Sequence, residues 1–125
     1  MYLFFLIKIY SLVKNNRIVI ETVLDEKKYP EDIRWTAENS KNDNNYNSSK
    51  AFFLSLFDKE SRDTVELDLW TKDMQVIEMD RFVFQTLNSI TNMYHRATKN
   101  TELANEMQNF VKYFGEKTEI LKGNK

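Results

Sequence analysis

Few side chains in this 125-residue sequence are of the types that catalyse reactions or bind metals. His95 is the only histidine, and the chain has no cysteine. A general base needs a nucleophile and an orienting group nearby, and no serine, cysteine or carboxylate stands close to His95 in the sequence. We therefore interpret His95 as a polar residue at a helix C-terminus, where its cationic form interacts well with the helix dipole. The base of a small hydrolase is the less favoured interpretation.

Two pairs of acidic residues are of the kind that glycosidases and magnesium sites use. Glu66 and Asp68 alternate along a predicted strand, and Glu78 and Asp80 lie on a predicted helix. A solvated face explains each pair more simply. The absence of cysteine excludes thiolate metal sites, and two glycines are too few for a phosphate-binding loop. We therefore predict no catalytic residue, no metal site and no cofactor.

The composition indicates a globular protein without a nucleic-acid ligand. Apolar residues make up 42% of the chain, and 18 basic residues are balanced by 19 acidic ones. A nucleic-acid binder would carry a basic excess. The length fits one domain, which we predict over residues 17–125.

The first 16 residues are predicted to be an apolar extension outside that domain. The run Met1–Val13 is too short for a membrane span, which needs about 20 apolar residues. It also lacks the leading charges and the cleavage site of a signal peptide. Three interpretations stay open: a buried extra strand or helix, a segment upstream of the true start, or an anchor to a membrane surface or a partner.

Four strands are predicted in the first half of the chain, at Arg17–Asp25, Asp32–Glu38, Lys50–Phe57 and Val65–Trp70. Alternation places one set of side chains in each of two strands towards the core: Ile33, Trp35 and Ala37, and Val65, Leu67 and Leu69. The third strand is apolar on both faces, which is typical of a central or covered strand. The polar segment Asn39–Ser49 is predicted to be a solvated loop.

The second half has the period of helices. Asp73 is predicted to cap a long helix that ends near Thr98, and Asn100 or Thr101 is predicted to cap a second one. Gly115 interrupts the second pattern, so we expect the tail to fray there. The predicted inward stripes are Val76, Met79, Val83, Leu87, Ile90, Tyr94 and Ala97 in the first helix, and Leu103, Met107, Phe110, Phe114 and Leu121 in the second.

This order of elements predicts an α+β fold in which a four-stranded antiparallel sheet is followed by two C-terminal helices packed on one face. SecB-type export chaperones have the same order of strands and helices. That likeness is architectural and is weak support for a shared function.

Several blocks of the sequence resemble the gliding-motility protein family GldC of Bacteroidetes. They are Asp25–Glu38, Ala51–Asp58, Leu67–Met74, Glu78-Met79, Gln85–Leu87, His95–Thr98 and the stretch around Phe110–Glu116. The chain departs from the family at Met1–Asn16, which lies outside the resemblance, and at Gln75, where a helix-starting proline is expected. The resemblance implies an accessory role in surface gliding and the linked secretion apparatus, and it supplies no catalytic residue.

We therefore predict a non-enzymatic accessory protein of the gliding machinery that acts through protein–protein contacts. A SecB-like chaperone or adaptor for secreted clients is the alternative. The predicted location is the cytoplasm, with association at the inner membrane and homo-oligomer formation left open. The candidate contact residues bracket the long helix and are not needed for its apolar stripe: Trp70, Lys72, Asp73, His95 and Arg96.

Overall fold

The computed structural model describes residues 14–38 and 45–122 of the chain. Contacts divide the chain into two compact units, residues 1–72 and 73–125. In the described residues, the first unit contains five strands, and the second contains two helices and a short 3-10 turn. The prediction of an α+β fold with two C-terminal helices is confirmed. The packing of the helices on a sheet face and the single domain over residues 17–125 stay predictions.

The strands form two antiparallel sheets, so the prediction of one four-stranded sheet is wrong. The order β1–β2–β3 makes the first sheet, and β4–β5 makes the second. Their bounds are Ile18–Leu24 for β1, Pro30–Ala37 for β2, Asn47–Ser49 for β3, Ala51–Phe57 for β4 and Thr64–Trp70 for β5.

The division into two sheets originates at Lys50, where the chain bends between β3 and β4. Before the bend, Asn47–Ser49 pair with the segment of β2 from Ile33 to Trp35. After the bend, β4 pairs with β5 over its whole length. Asparagine and serine have low strand propensity, so the prediction placed these three residues in a loop, and pairing with β2 overrides that propensity. Residues 39–44 of the predicted loop and the run Met1–Val13 lie outside the described residues.

Burial in β2 follows the predicted alternation only in part. Ile33 is fully buried as predicted, but Trp35 is 40% exposed, and Thr36, predicted to face solvent, is buried. Ile33 and Thr36 are three residues apart and point to opposite faces. Each face of this sheet is therefore covered at one point, whereas the prediction assumed that one whole face is buried and the other is wet.

The predicted inward face of β5 is largely exposed. Val65 is 58% exposed and Leu67 is 59% exposed, and only Leu69 is half-buried. Most of this apolar face is therefore exposed in the hairpin. The alternation itself is correct, but the inference that it marks a buried face is wrong.

The two helices begin and end close to their predicted bounds. Helix α1 spans Val76–Thr98, and helix α2 spans Thr101–Lys117. The cap of α1 is Gln75, whose backbone N–H donates to the Glu78 carboxylate at 3.0 Å, so the assignment of Asp73 as the cap is wrong. Asn100 caps α2, accepting a hydrogen bond from the Leu103 N–H at 3.1 Å, as predicted.

The buried positions of α2 are small residues: Ala104, Val111 and Gly115. They form one stripe on the helix, offset from the predicted stripe, because seven- and four-residue steps return to the same face. Several of the residues predicted to be inside are exposed: Val76, Ile90, Ala97, Leu103, Phe110 and Leu121.

Gly115 has a packing role that its position near the helix end concealed. A Cβ at this position would lie 2.7 Å from Cε2 of Phe84 and 2.9 Å from Cγ of Leu121. Real Cβ atoms essentially never approach so closely, so the absence of a side chain allows these contacts. The helix continues past Gly115 to Lys117, where it ends before the 3-10 turn Ile120–Lys122, and the prediction of a frayed tail at Gly115 is wrong.

Candidate functional site: a cleft beside Lys72

A tight turn between β1 and β2 forms one wall of the site. The Asp25 carboxylate accepts hydrogen bonds from the backbone N–H groups of Lys27 at 2.8 Å and Tyr29 at 2.9 Å. Lys28 takes the left-handed conformation with φ of 67°. Aspartate commonly organises turns in this way. The turn leaves the Tyr29 ring exposed at the start of β2.

Two backbone hydrogen bonds fix the end of β5 next to this turn. The Lys72 N–H donates to the Pro30 carbonyl at 3.0 Å, and the Thr71 N–H donates to the Lys50 carbonyl at 2.7 Å. Thr71 is buried. The bond from Lys72 to Pro30 connects the two sheets within the first unit and holds Lys72 beside the turn, whereas the bond from Thr71 to Lys50 continues the β4–β5 pairing.

The Lys72 ammonium lies between two carboxylates. Its Nζ is 3.0 Å from Asp25 Oδ2 and 3.4 Å from Glu31 Oε1. The hydrogen bond to Asp25 raises the pKa of Lys72 above its ordinary value, with a smaller contribution from Glu31. The pKa of Asp25 is lowered, first by the hydrogen bond from the Tyr29 N–H and then by Lys72. Both shifts favour the charged forms of Lys72 and Asp25, as expected for an ion pair.

Two clefts meet at Lys72. The first, which we call the Trp70 cleft, has a volume of about 440 Å³ and a largely apolar wall; it is lined by Tyr29, Pro30, Asp68, Leu69, Trp70 and Lys72. The second has a volume of about 580 Å³ and is rimmed by charged side chains; it is lined by Leu24, Asp25, Glu26, Lys27, Glu31 and Lys72.

The Trp70 cleft combines exposed aromatic side chains with charged groups. Trp70 is 52% exposed and Tyr29 is also exposed, so two aromatic side chains are available at its rim. Exposed aromatic residues beside charged groups are the usual anchors of protein interfaces. No cluster of three metal-binding side chains occurs among the residues that the structure describes.

The structure brings together two of the five predicted contact residues. Trp70 and Lys72 line the same cleft. Asp73 begins the second unit, and His95 and Arg96 lie in the last turn of α1. His95 is exposed, and its Nε2 lies 3.1 Å from the Thr101 hydroxyl. This is the position at a helix end that the sequence predicted for His95.

The prediction missed Asp25, Tyr29 and Glu31. A local signal was present, because an aspartate that precedes a Lys-Lys-Tyr-Pro turn is typical of an organised turn. The partner of Asp25 is 47 residues away, however. No periodicity in the sequence indicates that Lys72 would reach it.

Comparison with known proteins places the chain in a family. The model of the family described as gliding motility-associated protein GldC-like matches residues 30–120. The match covers well over half of the chain and includes most of the Trp70 cleft and both helices. No curated protein and no solved structure matches the chain.

The chain is therefore a motility-associated protein, and it belongs to the GldC-like family. The resemblance found in the sequence is confirmed at the level of the family. Within the described residues, neither helix has the combination of length and apolar character that crossing a membrane requires.

Proposed function

We propose that this protein is a non-enzymatic accessory component of the gliding apparatus and that it binds a protein partner through the Trp70 cleft. Membership of the GldC-like family supports the link to motility. The observation that carries the choice of site is the junction at Lys72, where an exposed tryptophan, an exposed tyrosine and a hydrogen-bonded ammonium line one cleft. The proposed location is the cytoplasm.

The form of the cleft indicates what kind of segment would bind. Trp70, Tyr29 and Pro30 offer an apolar wall, and Asp68 and Lys72 offer one charge of each sign. An extended segment with an apolar side chain next to a polar one would satisfy both parts. Binding would depend mainly on the buried aromatic contact, because exposed charge pairs contribute little.

The test is complementation of a deletion strain with a cleft variant. We expect Trp70→Ala combined with Lys72→Glu to lose colony spreading, although the protein still folds and accumulates. Both changed side chains are exposed, so the fold should survive, with a lower unfolding temperature because Lys72→Glu places a third carboxylate beside Asp25 and Glu31.

A matched double variant provides the control. Trp35→Ala removes a tryptophan that is 40% exposed but lies outside the cleft, and Lys59→Glu reverses an exposed charge in the β4–β5 loop. This variant should spread like the wild type. Normal spreading of the cleft variant, or equal loss in both variants, would refute the assignment of the cleft.

A second, separate contact surface is proposed at three further residues: Asp73, His95 and Arg96. His95 and Arg96 present two basic side chains at the end of α1, which suits an acidic segment of a partner. Replacing both with glutamine should reduce spreading if this helix end is a second contact. An unchanged phenotype would limit the contact surface to the Trp70 cleft.

The exposed apolar side chains of the hairpin favour a second candidate function, a SecB-like chaperone or adaptor for secreted clients. Leu56, Val65 and Leu67 are apolar residues on one face of the hairpin that stay exposed. Patches of this kind bind unfolded chains. A holdase should suppress aggregation of an unfolded client at equimolar concentration, and failure to do so even in several-fold excess would eliminate this candidate.

A further inference from the structure

Strand β4 has the sequence of a central strand but the position of an edge strand. Ala51–Phe57 contains six apolar residues and one serine, with no charge, proline or glycine. Edge strands are normally protected by charges, prolines or bulges. In the described part of the chain, β4 pairs with β5 alone, so one edge of β4 has no partner strand there.

Strand β5 has the opposite character. It carries Glu66 and Asp68, which are the kind of charged side chains that protect an edge. The two edges of this two-stranded sheet therefore differ: the β5 edge is protected against pairing with another chain, and the β4 edge is not.

The register of the hairpin defines its two faces. Residues directly opposite each other share a face, and Leu54 stands opposite Leu67. One face is wholly apolar and consists of Phe52, Leu54, Leu56, Val65, Leu67 and Leu69. The other face is mixed and consists of Ala51, Phe53, Ser55, Phe57, Thr64, Glu66, Asp68 and Trp70.

The sequence of β4 is complementary to itself when two copies run antiparallel about Leu54. Ala51 then stands opposite Phe57 of the second copy, and Phe53 stands opposite Ser55, so that each large ring meets a small side chain on the mixed face. A pairing centred on Leu54 gives each of the seven residues of β4 a partner in the second copy. A pairing centred anywhere else leaves some of them unpaired. No two like charges meet, because β4 has none.

The apolar face is continued by the same pairing. Phe52 stands opposite Leu56 of the second copy, and the two Leu54 side chains meet at the axis. Four strands then share one apolar face that includes Val65 and Leu67, which are 58% and 59% exposed in the single chain. An isolated two-stranded hairpin is at best marginally stable in water, and added strands increase its stability.

We propose that β4 is the dimerisation strand of this protein and that it pairs with β4 of a second copy about a two-fold axis at Leu54. The result is a four-stranded antiparallel sheet in the order β5–β4–β4–β5, with the protected β5 strands outermost. A two-fold axis requires a self-complementary contact of this kind. The dimer does not depend on the Trp70 cleft or on the partner that binds there.

A single cysteine tests the axis directly, because the natural chain has none. In Leu54→Cys the two sulfurs belong to residues directly opposite each other, with Cα atoms about 4.5–5.5 Å apart. That separation is within the range of a disulfide. Mild oxidation should give a covalent dimer of about twice the 15.0 kDa chain mass.

Leu56→Cys is the matched control. Residue 56 would stand opposite residue 52 of the second copy, so the two introduced cysteines are four positions, about 13 Å, apart along the strands. We expect Leu54→Cys to cross-link at least tenfold faster than Leu56→Cys. Equal rates would indicate random collision and would overturn the proposed axis.

A second variant avoids dependence on cysteine chemistry. Ser55 is exposed in the single chain, so Ser55→Lys should leave the hairpin folded while placing a charge against Phe53 of the second copy. The wild-type protein should have the mass of a dimer in solution. The Ser55→Lys variant should have the mass of a monomer. A monomeric wild-type protein at micromolar concentration would overturn the proposal.

The remaining outcomes identify other occupants of the β4 edge. If Leu54→Cys cross-links only after residues 1–13 are removed, the chain's own N-terminal segment covers the edge and the second copy does not. When Lys72→Glu is introduced into the Leu54→Cys chain, the double variant should cross-link as fast as Leu54→Cys alone. Loss of colony spreading in that variant with an intact dimer would separate the cleft from the dimer interface.

Discussion

Gly115→Ala is expected to destabilise the helical unit, although the same change at an exposed helix position normally has the opposite effect. At an exposed site, alanine gains roughly 0.5–1 kcal/mol over glycine because its backbone loses less entropy on folding. At Gly115 the new Cβ would lie 2.7 Å from Cε2 of Phe84 and 2.9 Å from Cγ of Leu121. Overpacking of this kind costs about 1–3 kcal/mol.

The two neighbours differ in how readily they move. Leu121 is in the terminal 3-10 turn and is half exposed, so it can shift at low cost. Phe84 is half-buried on α1 and has less room. The residual clash with Phe84 should exceed the helix-propensity gain, leaving a net loss of about 1 kcal/mol. For a chain of this size that corresponds to a decrease in Tm of about 4 °C.

The measurement is urea denaturation followed by circular dichroism, with the free energy of unfolding compared between variants. Asn109→Ala, at an exposed position of the same helix, is the control and should be neutral or slightly stabilising. In a double-mutant cycle, Phe84→Leu should reduce the penalty of Gly115→Ala by removing the ring atom nearest to the new Cβ, whereas Leu121→Ala should change it little. An increase in stability for Gly115→Ala would refute the close packing inferred at this position.

Two further predictions concern the turn at Asp25 and the cap at Asn100. Because the pKa of Asp25 is lowered in the folded state from its ordinary value of 3.8, its contribution to stability is complete above that value and is lost as pH falls through the lowered pKa. Asp25→Asn should therefore weaken the loss of stability as the pH falls below 3.8, measured by urea midpoints, and an unchanged acid dependence would show that the Asp25 contacts contribute little. Asn100→Ala should cost about 1 kcal/mol by removing the acceptor for the Leu103 N–H. Asn100→Asp should retain most of the stability, and a loss equal to that of alanine would argue against capping.

The sequence was informative wherever the cause of a structure is local. The change from a two-residue to a 3.6-residue period marks the boundary between the strands and the helices, and both helices lie close to where their apolar patterns predict them. Asn100 was one of two predicted caps of α2, and such a cap is visible in the sequence because the bond to its side chain spans only three residues. The cap of α1 was misplaced at Asp73, since a glutamine with a glutamate three residues later is a weaker signal.

Tertiary structure decided which faces are covered and which side chains meet. Alternation in β5 fixes that Val65 and Leu67 share a face, but only the packing of neighbouring elements determines whether that face is buried, and here most of it is not. The pairing of Asn47–Ser49 with β2 also depends on a distant strand. Lys72 reaches Asp25 across 47 residues because its backbone N–H donates to the Pro30 carbonyl, which fixes the end of β5 beside the first sheet. Periodicity records the repeat of a single element, whereas contacts between elements depend on how the chain bends at points such as Lys50.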